Sequence, residues 1–321
     1  MKKRLITGTC FVLVIALALI LKFKVSNYFF DVLILAVACI ASYEASKLFT
    51  KMGRYNDKIM AISFPVISMI VLLLCIANDK DIGIVFTIVI LIATMLVFFA
   101  ITFLISLLNR KVTKTEMRAR ENELTITKYS LIKALNTTLV FIYPVFLLLF
   151  LTFINHIEDM TTSFGAVSGL GGRLSLFILI FTLLIPIFSD TFAYLTGGIF
   201  GGKKVATKVS PNKTISGCVG GLVWCVLLSI TFFCICNSIP SMAQVLSATG
   251  ITLWKVALIS VFGSVISQLG DLFESFLKRE AGVKDAGKIL PGHGGMLDRF
   301  DSHIFVAPYI FIAFSLLLIL L

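Results

Sequence analysis

Long apolar runs separated by short charged segments organise the chain from end to end. Nine such runs fall at roughly 4–23, 28–48, 59–77, 83–108, 132–154, 174–200, 216–237, 252–278 and 304–321. A helix rising ~1.5 Å per residue needs ~20 residues to cross a hydrocarbon layer of ~30 Å, and the runs are of that length. Backbone groups inside lipid must be paired within their own segment, so the runs predict helices rather than loops. The first run follows Met1-Lys2-Lys3-Arg4, a start shared with signal peptides. It continues into Lys22, Phe23 and Lys24 without a small-x-small cleavage site, which predicts an uncleaved anchor.

Composition fits this pattern. Of 321 residues, 58% are hydrophobic and 14% charged, against about half and about a quarter in a soluble domain. The expected fold class is an all-α integral membrane protein with about nine transmembrane helices. Charge adds orientation. The segments holding Lys2, Lys3 and Arg4, then Lys47, Lys51, Arg54 and Lys58, then the cations of 110–128, then Lys203, Lys204, Lys208 and Lys213, and finally Lys278 to Arg299 fall on one side. The other side holds only Lys22, Lys24, Lys80, Arg173 and Lys255. Cytoplasmic loops carry the excess of Lys and Arg, so the N-terminus is expected inside and the C-terminus on the opposite side. The net charge of +11 then follows from topology and from attraction to anionic headgroups, with no nucleic-acid partner needed. Cys10, Cys39, Cys75, Cys218, Cys225, Cys234 and Cys236 lie in or near apolar spans without a CxxC pair, and are expected as buried free thiols. His156, with Glu158 and Asp159 in a Gly/Ser-rich outer loop, is expected on a solvated surface.

The chain divides into 1–108, four plain hydrophobic spans; 109–131, a charged cytoplasmic linker of mixed sign; and 132–321, five helices that carry the chemistry. Asp31 and Glu44, the acids within or near the second span, are expected at an interface or a helix–helix contact. In the C-terminal half, ionisable residues sit within or beside the spans. Burying such groups in lipid costs at least about 2.5 kcal/mol each, so they should face a protein-lined cavity. Asp190 and Tyr194 are four apart and share a helix face. The loop from Gly201 to Thr214 combines glycines with Lys204, Ser210, Lys213 and Thr214; a phosphate site and a plain positive-inside loop fit it equally, and Walker A spacing is absent. Asp271, Glu274, Ser275 and Lys278 form one helical stripe, followed by Arg279, Lys284 and Asp285. His293, Asp298, Arg299 and Asp301 come next, and the two aspartates converge if the ninth helix begins there. Hard oxygen donors suit Mg²⁺, and the surrounding cations suit a polyphosphate.

The segment Ser275-x-x-Lys278-Arg279-x-x-x-x-Lys284-Asp285, followed by Pro291-Gly292-His293-Gly294-Gly295-x-x-Asp298-Arg299-x-Asp301, resembles the signature of phosphatidate cytidylyltransferases, or CDP-diacylglycerol synthases. The resemblance extends upstream to Asp190 with Ala193-Tyr194, to Ser210-Pro211-x-Lys213-Thr214 and to Gly270-Asp271. It covers roughly 185–305 by motif and leaves the first four spans without a specific signal. Ser216 is a departure, since family members often carry an acidic or amide residue there.

The resemblance implies transfer of CMP from CTP to phosphatidic acid, with pyrophosphate leaving. The implied metal ligands are Asp271, Asp298 and Asp301, holding Mg²⁺ with allowance for a second ion. Lys278, Arg279, His293 and Arg299 join Asp271 and Asp298 as catalytic candidates. Lys204, Ser210, Lys213, Thr214, Ser275 and Lys284 are candidates for substrate phosphates, and Asp190, Tyr194 and Glu274 are further candidates. The expected partners are CTP, phosphatidic acid and membrane lipids, with a homodimer left open. The expected location is a prokaryotic plasma membrane, with the site at its cytoplasmic face. The rival readings are a CTP-dependent lipid kinase and a membrane transporter.

Overall fold

The computed structural model describes residues 2–118, 124–160, 170–292 and 294–320. Arg120, Glu121 and Glu123 of the linker and His293 of the Gly-rich motif lie outside the described residues. Among the described residues nine spans are long and apolar enough to cross a membrane. They are α1 (Lys2–Lys24), α2 (Tyr28–Lys51), α3 (Lys58–Ala77), α4 (Asp79–Leu108), the consecutive pair α6 (Ile126–Val140) and α7 (Leu147–Asn155), α8 (Arg173–Phe200), α9 (Ile215–Asn237), α11 (Leu253–Glu280) and α12 (Leu297–Ile319). Two short helices, α5 (Arg110–Arg118) and α10 (Pro240–Ala248), and a hairpin of β1 (Lys204–Ala206) and β2 (Ser210–Thr214) connect them. Among the described residues the protein is an all-α integral membrane protein apart from that hairpin.

The outer faces suit lipid. Ile59, Val85, Phe86 and Leu108 are between 66% and 77% exposed. Inside, with no hydrophobic drive between helices in lipid, packing geometry decides the association. Phe64 stacks on Phe141 with ring centroids 4.3 Å apart, and Phe98 closes on Phe64 edge-on at 5.1 Å. Phe153 and Phe311, 5.2 Å apart, join α7 to α12.

The fifth span begins at Ile126, earlier than its apolar run, because Thr125 caps it by accepting the Lys128 N–H at 3.4 Å. Lys133, a cation inside the span, is paired with Glu116 of α5 at 3.1 Å and with Asp57 at the head of α3 at 3.7 Å. Tyr129 Oη also donates to Glu116, at 2.9 Å. The first part of the charged linker, α5, is thereby fastened to the bundle. Further along, Pro144 lacks an N–H and crowds the preceding turn, so regular helix gives way over Phe141–Phe146, where Tyr143 is non-helical.

His156 corrects the surface expectation, being only 3% exposed. Its Nε2 lies 2.7 Å from Asp31 Oδ2 and its Nδ1 2.6 Å from Asp159 Oδ2. Asn155 donates to Asp31 at 2.9 Å, and the buried Lys22 donates to Ser175 Oγ at 2.8 Å. Burial disfavours the imidazolium, but the hydrogen bonds and charges of Asp159 and Asp31 outweigh it and lift His156 to about 9. Burial pushes Asp159 up, and its bond to His156 prevails, holding it below the usual carboxylate range. The cysteines are all free, but only Cys75, Cys225 and Cys236 are buried; Cys10 and Cys234 sit on exposed faces of their spans.

Candidate active site

Helices α8 and α9 meet backbone to backbone. A Cβ at Gly217 would stand 2.6 Å from the Ala193 carbonyl oxygen, and one at Gly221 2.6 Å from that of Ser189. Only glycine permits this approach. It sets the start of α9, capped by Thr214 Oγ1 accepting the Gly217 N–H at 3.1 Å, against the α8 turns that carry Asp190 and Tyr194. Asp190 Oδ2 accepts from Ser302 Oγ of α12 at 3.3 Å. Tyr194 is 80% exposed. Both line a cavity of about 450 Å³ together with Lys204, Ser210, Lys213, Thr214 and Asp271.

The segment Gly201–Thr214 forms the antiparallel hairpin, with Lys204 opposite Thr214 and Ala206 opposite Ser210. Near the end of β2, Lys213 reaches α11, where its Nζ is 2.6 Å from Asp271 Oδ2 and donates to the Gln268 carbonyl at 3.2 Å. Gln268 in turn donates to the Cys218 carbonyl at 3.1 Å and to Ser189 Oγ at 3.3 Å, tying α11 to α9 and α8. Sequence reasoning missed Gln268; its signal was an amide inside a span, one turn before Asp271. Ser216, the departure from the family pattern, donates to the Gly201 carbonyl and so ties the head of α9 to the end of α8.

On α11 the predicted stripe is real. Ser275 Oγ donates to Asp271 Oδ1 at 3.4 Å, and Lys278 pairs with the fully buried Glu274 one turn back. Lys278 also reaches Asp298 Oδ1 at 2.8 Å. Because α12 begins at Leu297, Asp298 and Asp301 fall in its first turns, and they are not equivalent. Asp298 accepts the Ala286 N–H at 3.0 Å and the Gly295 N–H at 2.7 Å besides the Lys278 ammonium, so it closes the loop before its own helix. Asp301 lies close enough to Asp271, Lys278 and Arg299 for their charges to interact, and Asp190 stands in the same relation to Asp301 and Asp271. Asp190 of α8 and Asp271 of α11 line the same cavity. Arg299, Lys284 and Asp285 line a second cavity of about 610 Å³. Arg279 donates to the Val209 carbonyl at 3.2 Å and the Val283 carbonyl at 3.4 Å, joining the hairpin to the loop after α11. Tyr143, placed by the break at Pro144, packs its ring on Phe273 at 5.0 Å and brings a buried hydroxyl near Glu274 and Asp301. No sequence motif marked it.

The loop between α11 and α12 is also held from the N-terminal half. Glu44 of α2, 1% exposed, accepts the Leu297 N–H at 2.8 Å, satisfying a first-turn donor of α12. Thr7 of α1 donates to the Pro291 carbonyl at 3.1 Å, and Phe11 meets Phe300 edge-on at 5.9 Å. Gly294 has φ +86, and a Cβ there would stand 2.7 Å from Asp298 Oδ2, so the loop needs glycine at that point.

Carboxylates on separate helices, with Lys213 and Lys278 among them, form a hard-oxygen donor set whose chemistry fits Mg²⁺. As the side chains stand, no three His, Cys, Asp or Glu groups among the described residues are gathered closely enough to hold an ion. Lys213 occupies Asp271 and Lys278 occupies Asp298.

Fold and site define a multi-spanning membrane protein that places carboxylates, lysines and an arginine around two neighbouring cavities. The model of the cytidylyltransferase family matches residues 2–317, and the chain belongs to that family. It is 44% identical to a phosphatidate cytidylyltransferase of Staphylococcus saprophyticus over 130 residues, 40% of this chain and 46% of that protein. To the phosphatidate cytidylyltransferase of Bacillus subtilis it is 43% identical over 138 residues, 43% of this chain and 47% of that protein. To that of Haemophilus influenzae it is 40% identical over 134 residues, 42% and 44% of the two chains. The chain spans about half the length of the curated relatives it matches.

Proposed function

We propose that the protein transfers CMP from CTP to phosphatidic acid, giving CDP-diacylglycerol and pyrophosphate. The observation that carries this reading is the Lys213–Asp271 pair lining one cavity with Asp190, beside the Lys278–Asp298 pair that joins α11 to the head of α12. The names of the relatives support it. A phosphate oxygen of phosphatidic acid attacks the α-phosphorus of CTP; one P–O bond forms there, and the bond to the β-phosphate oxygen breaks. The attacking oxygen is already anionic, so positioning and charge neutralisation matter more than a strong base. Lys213 and Lys278 neutralise phosphate charge, while Arg299 and Lys284, in the second cavity, hold the triphosphate. Asp298, fully engaged by its three donors, positions Lys278 and the loop. Asp190, Asp271 and Asp301 are the groups that would hold Mg²⁺, which supplies charge neutralisation at the phosphates.

The same reading places the lysine-rich ends of the helices and the site at the cytoplasmic face of a bacterial plasma membrane, where CTP has access. The acyl chains of the lipid substrate stay in the bilayer. The test supplies CTP labelled at the α-phosphorus to the purified protein in nanodiscs with phosphatidic acid and Mg²⁺. Label should enter lipid as pyrophosphate is released. Release of CDP with unlabelled lipid phosphorylated instead would establish a kinase and overturn the proposal. A reporter in 110–118 should lie inside the cell and one in 238–252 outside.

A further inference from the structure

A third cavity, about 670 Å³, lies between the α2–α3 junction and the loop after α11. Its wall carries Lys47 and Lys51 of α2, Lys58 of α3, and Lys284 and Lys288 of the loop, with Asp285 the one acid among the described lining residues. All five lysines are exposed, and none takes part in an ion pair among the described residues. Lys47 rests over the Tyr43 ring, 4.2 Å from its centroid, which neutralises nothing. Like charges held around one cavity repel, and an anion between them turns that repulsion into attraction.

The helix beyond Lys58 indicates the kind of anion. Ile59, Ile62, Val66 and Ile70 are 77%, 41%, 38% and 53% exposed. Lys58, Ile62 and Val66 recur every fourth residue, so the cation stands at the head of an exposed apolar helix face. Both α2 and α3 span the membrane, and Lys47, Lys51 and Lys58 mark their ends at one side. Cations placed above an apolar face at the edge of a bilayer match a phosphate headgroup above its acyl chain. A free phosphate would use the lysines and leave the apolar face without a role.

We propose that this cavity binds the headgroup of an anionic phospholipid, with an acyl chain along the exposed face of α3. Lys284 and Asp285 line both this cavity and the one that holds Arg299, so the bound lipid shares a wall with the candidate active site. A phosphodiester lipid lacks the terminal phosphate that the proposed transfer needs, so its binding is separable from turnover.

The experiment uses the whole protein in phosphatidylcholine nanodiscs with a little phosphatidylglycerol carrying a photoreactive acyl chain, and with no CTP or phosphatidic acid. In the wild type, label should map to residues 58–70 of α3 and survive excess inorganic phosphate. In K47Q/K51Q/K58Q its yield should fall about tenfold. In K114Q/K128Q/K208Q, which removes as many exposed charges elsewhere, it should equal wild type. Label outside α2 and α3 in the wild type would overturn the proposal, whatever the variants do. Displacement by inorganic phosphate would reduce the cavity to a free-anion site. Equal loss in both triple variants would leave only general attraction to the membrane surface. Cytidylyl transfer does not enter the measurement, so failure here and failure of the proposed activity are distinguishable.

Discussion

The Glu44 carboxylate in the second span and the Leu297 N–H at the head of the last are joined at 2.8 Å across 253 positions of the chain. This bond makes the N-terminal half part of the site's support. Where α12 starts decides where Asp298, Arg299 and Asp301 stand, and the start is held by Glu44 outside the loop and by Asp298 within it.

Removing the Glu44 carboxylate should therefore act at a distance. Glu44→Ala leaves the Leu297 N–H buried without a partner, a cost of about 1–3 kcal/mol. It should lower the unfolding temperature in detergent and reduce cytidylyl transfer. Glu44→Gln keeps an acceptor oxygen and should retain most of both. Unchanged unfolding and activity in the alanine variant would show that α12 holds its place unaided.

Lys213 neutralises Asp271 at 2.6 Å in the first cavity. Lys213→Ala should lower turnover about 100-fold, the scale of removing one preorganised charge from a reaction centre. Arg299→Ala should act similarly. Lys114→Ala, on the exposed face of α5, should stay near wild type. Small and equal losses at all three would confine these cations to setting topology.

Asp298 and Asp301 should separate by phenotype. Asp301→Asn and Asp190→Asn should raise the Mg²⁺ concentration needed for half-maximal transfer. Asp298→Asn should leave that concentration alone and lower stability, because charge-assisted bonds of about 1.5–3 kcal/mol are weakened. Titrating Mg²⁺ against activity, alongside thermal unfolding, reads both. An altered Mg²⁺ requirement in Asp298→Asn alone would return the metal to the pattern drawn from the motif.

This distinction shows where the sequence stops being legible. Lipid demands apolar runs of helical length, so the nine spans stand out. The stripe of Asp271, Glu274, Ser275 and Lys278 follows from helical period alone. Asp298 and Asp301 are the same letter three positions apart, and their difference depends on which backbone N–H groups the folded loop presents. Glu44, Tyr143 and Gln268 gain their roles from partners on other helices, and no local pattern announces them. The break at Pro144 sits inside an apolar run whose hydropathy never falters. His156 looked like a loop residue because the acid that permits its burial, Asp31, lies 125 positions away.

That histidine gives a prediction at the other end of the bundle. His156 titrates at about 9 in the folded protein, above an ordinary value of about 6.5. The fold therefore favours the protonated ring. Its contribution is fully present below about pH 6.5 and is lost as pH rises through about 9, and it amounts to no more than about 3 kcal/mol. Asp159, held low, contributes in the opposite sense, with stability present above the usual carboxylate range and lost in acid. The apparent unfolding temperature should thus hold steady between these limits and fall on the alkaline side. Lys22, Tyr28 and Glu158 border the same cavity, so the comparison that isolates the ring is His156→Gln, which cannot protonate. This variant should be less stable than wild type at pH 6, and the gap should narrow by pH 10. A gap that stays constant across that range would mean that His156 acts as a neutral hydrogen-bonding group throughout.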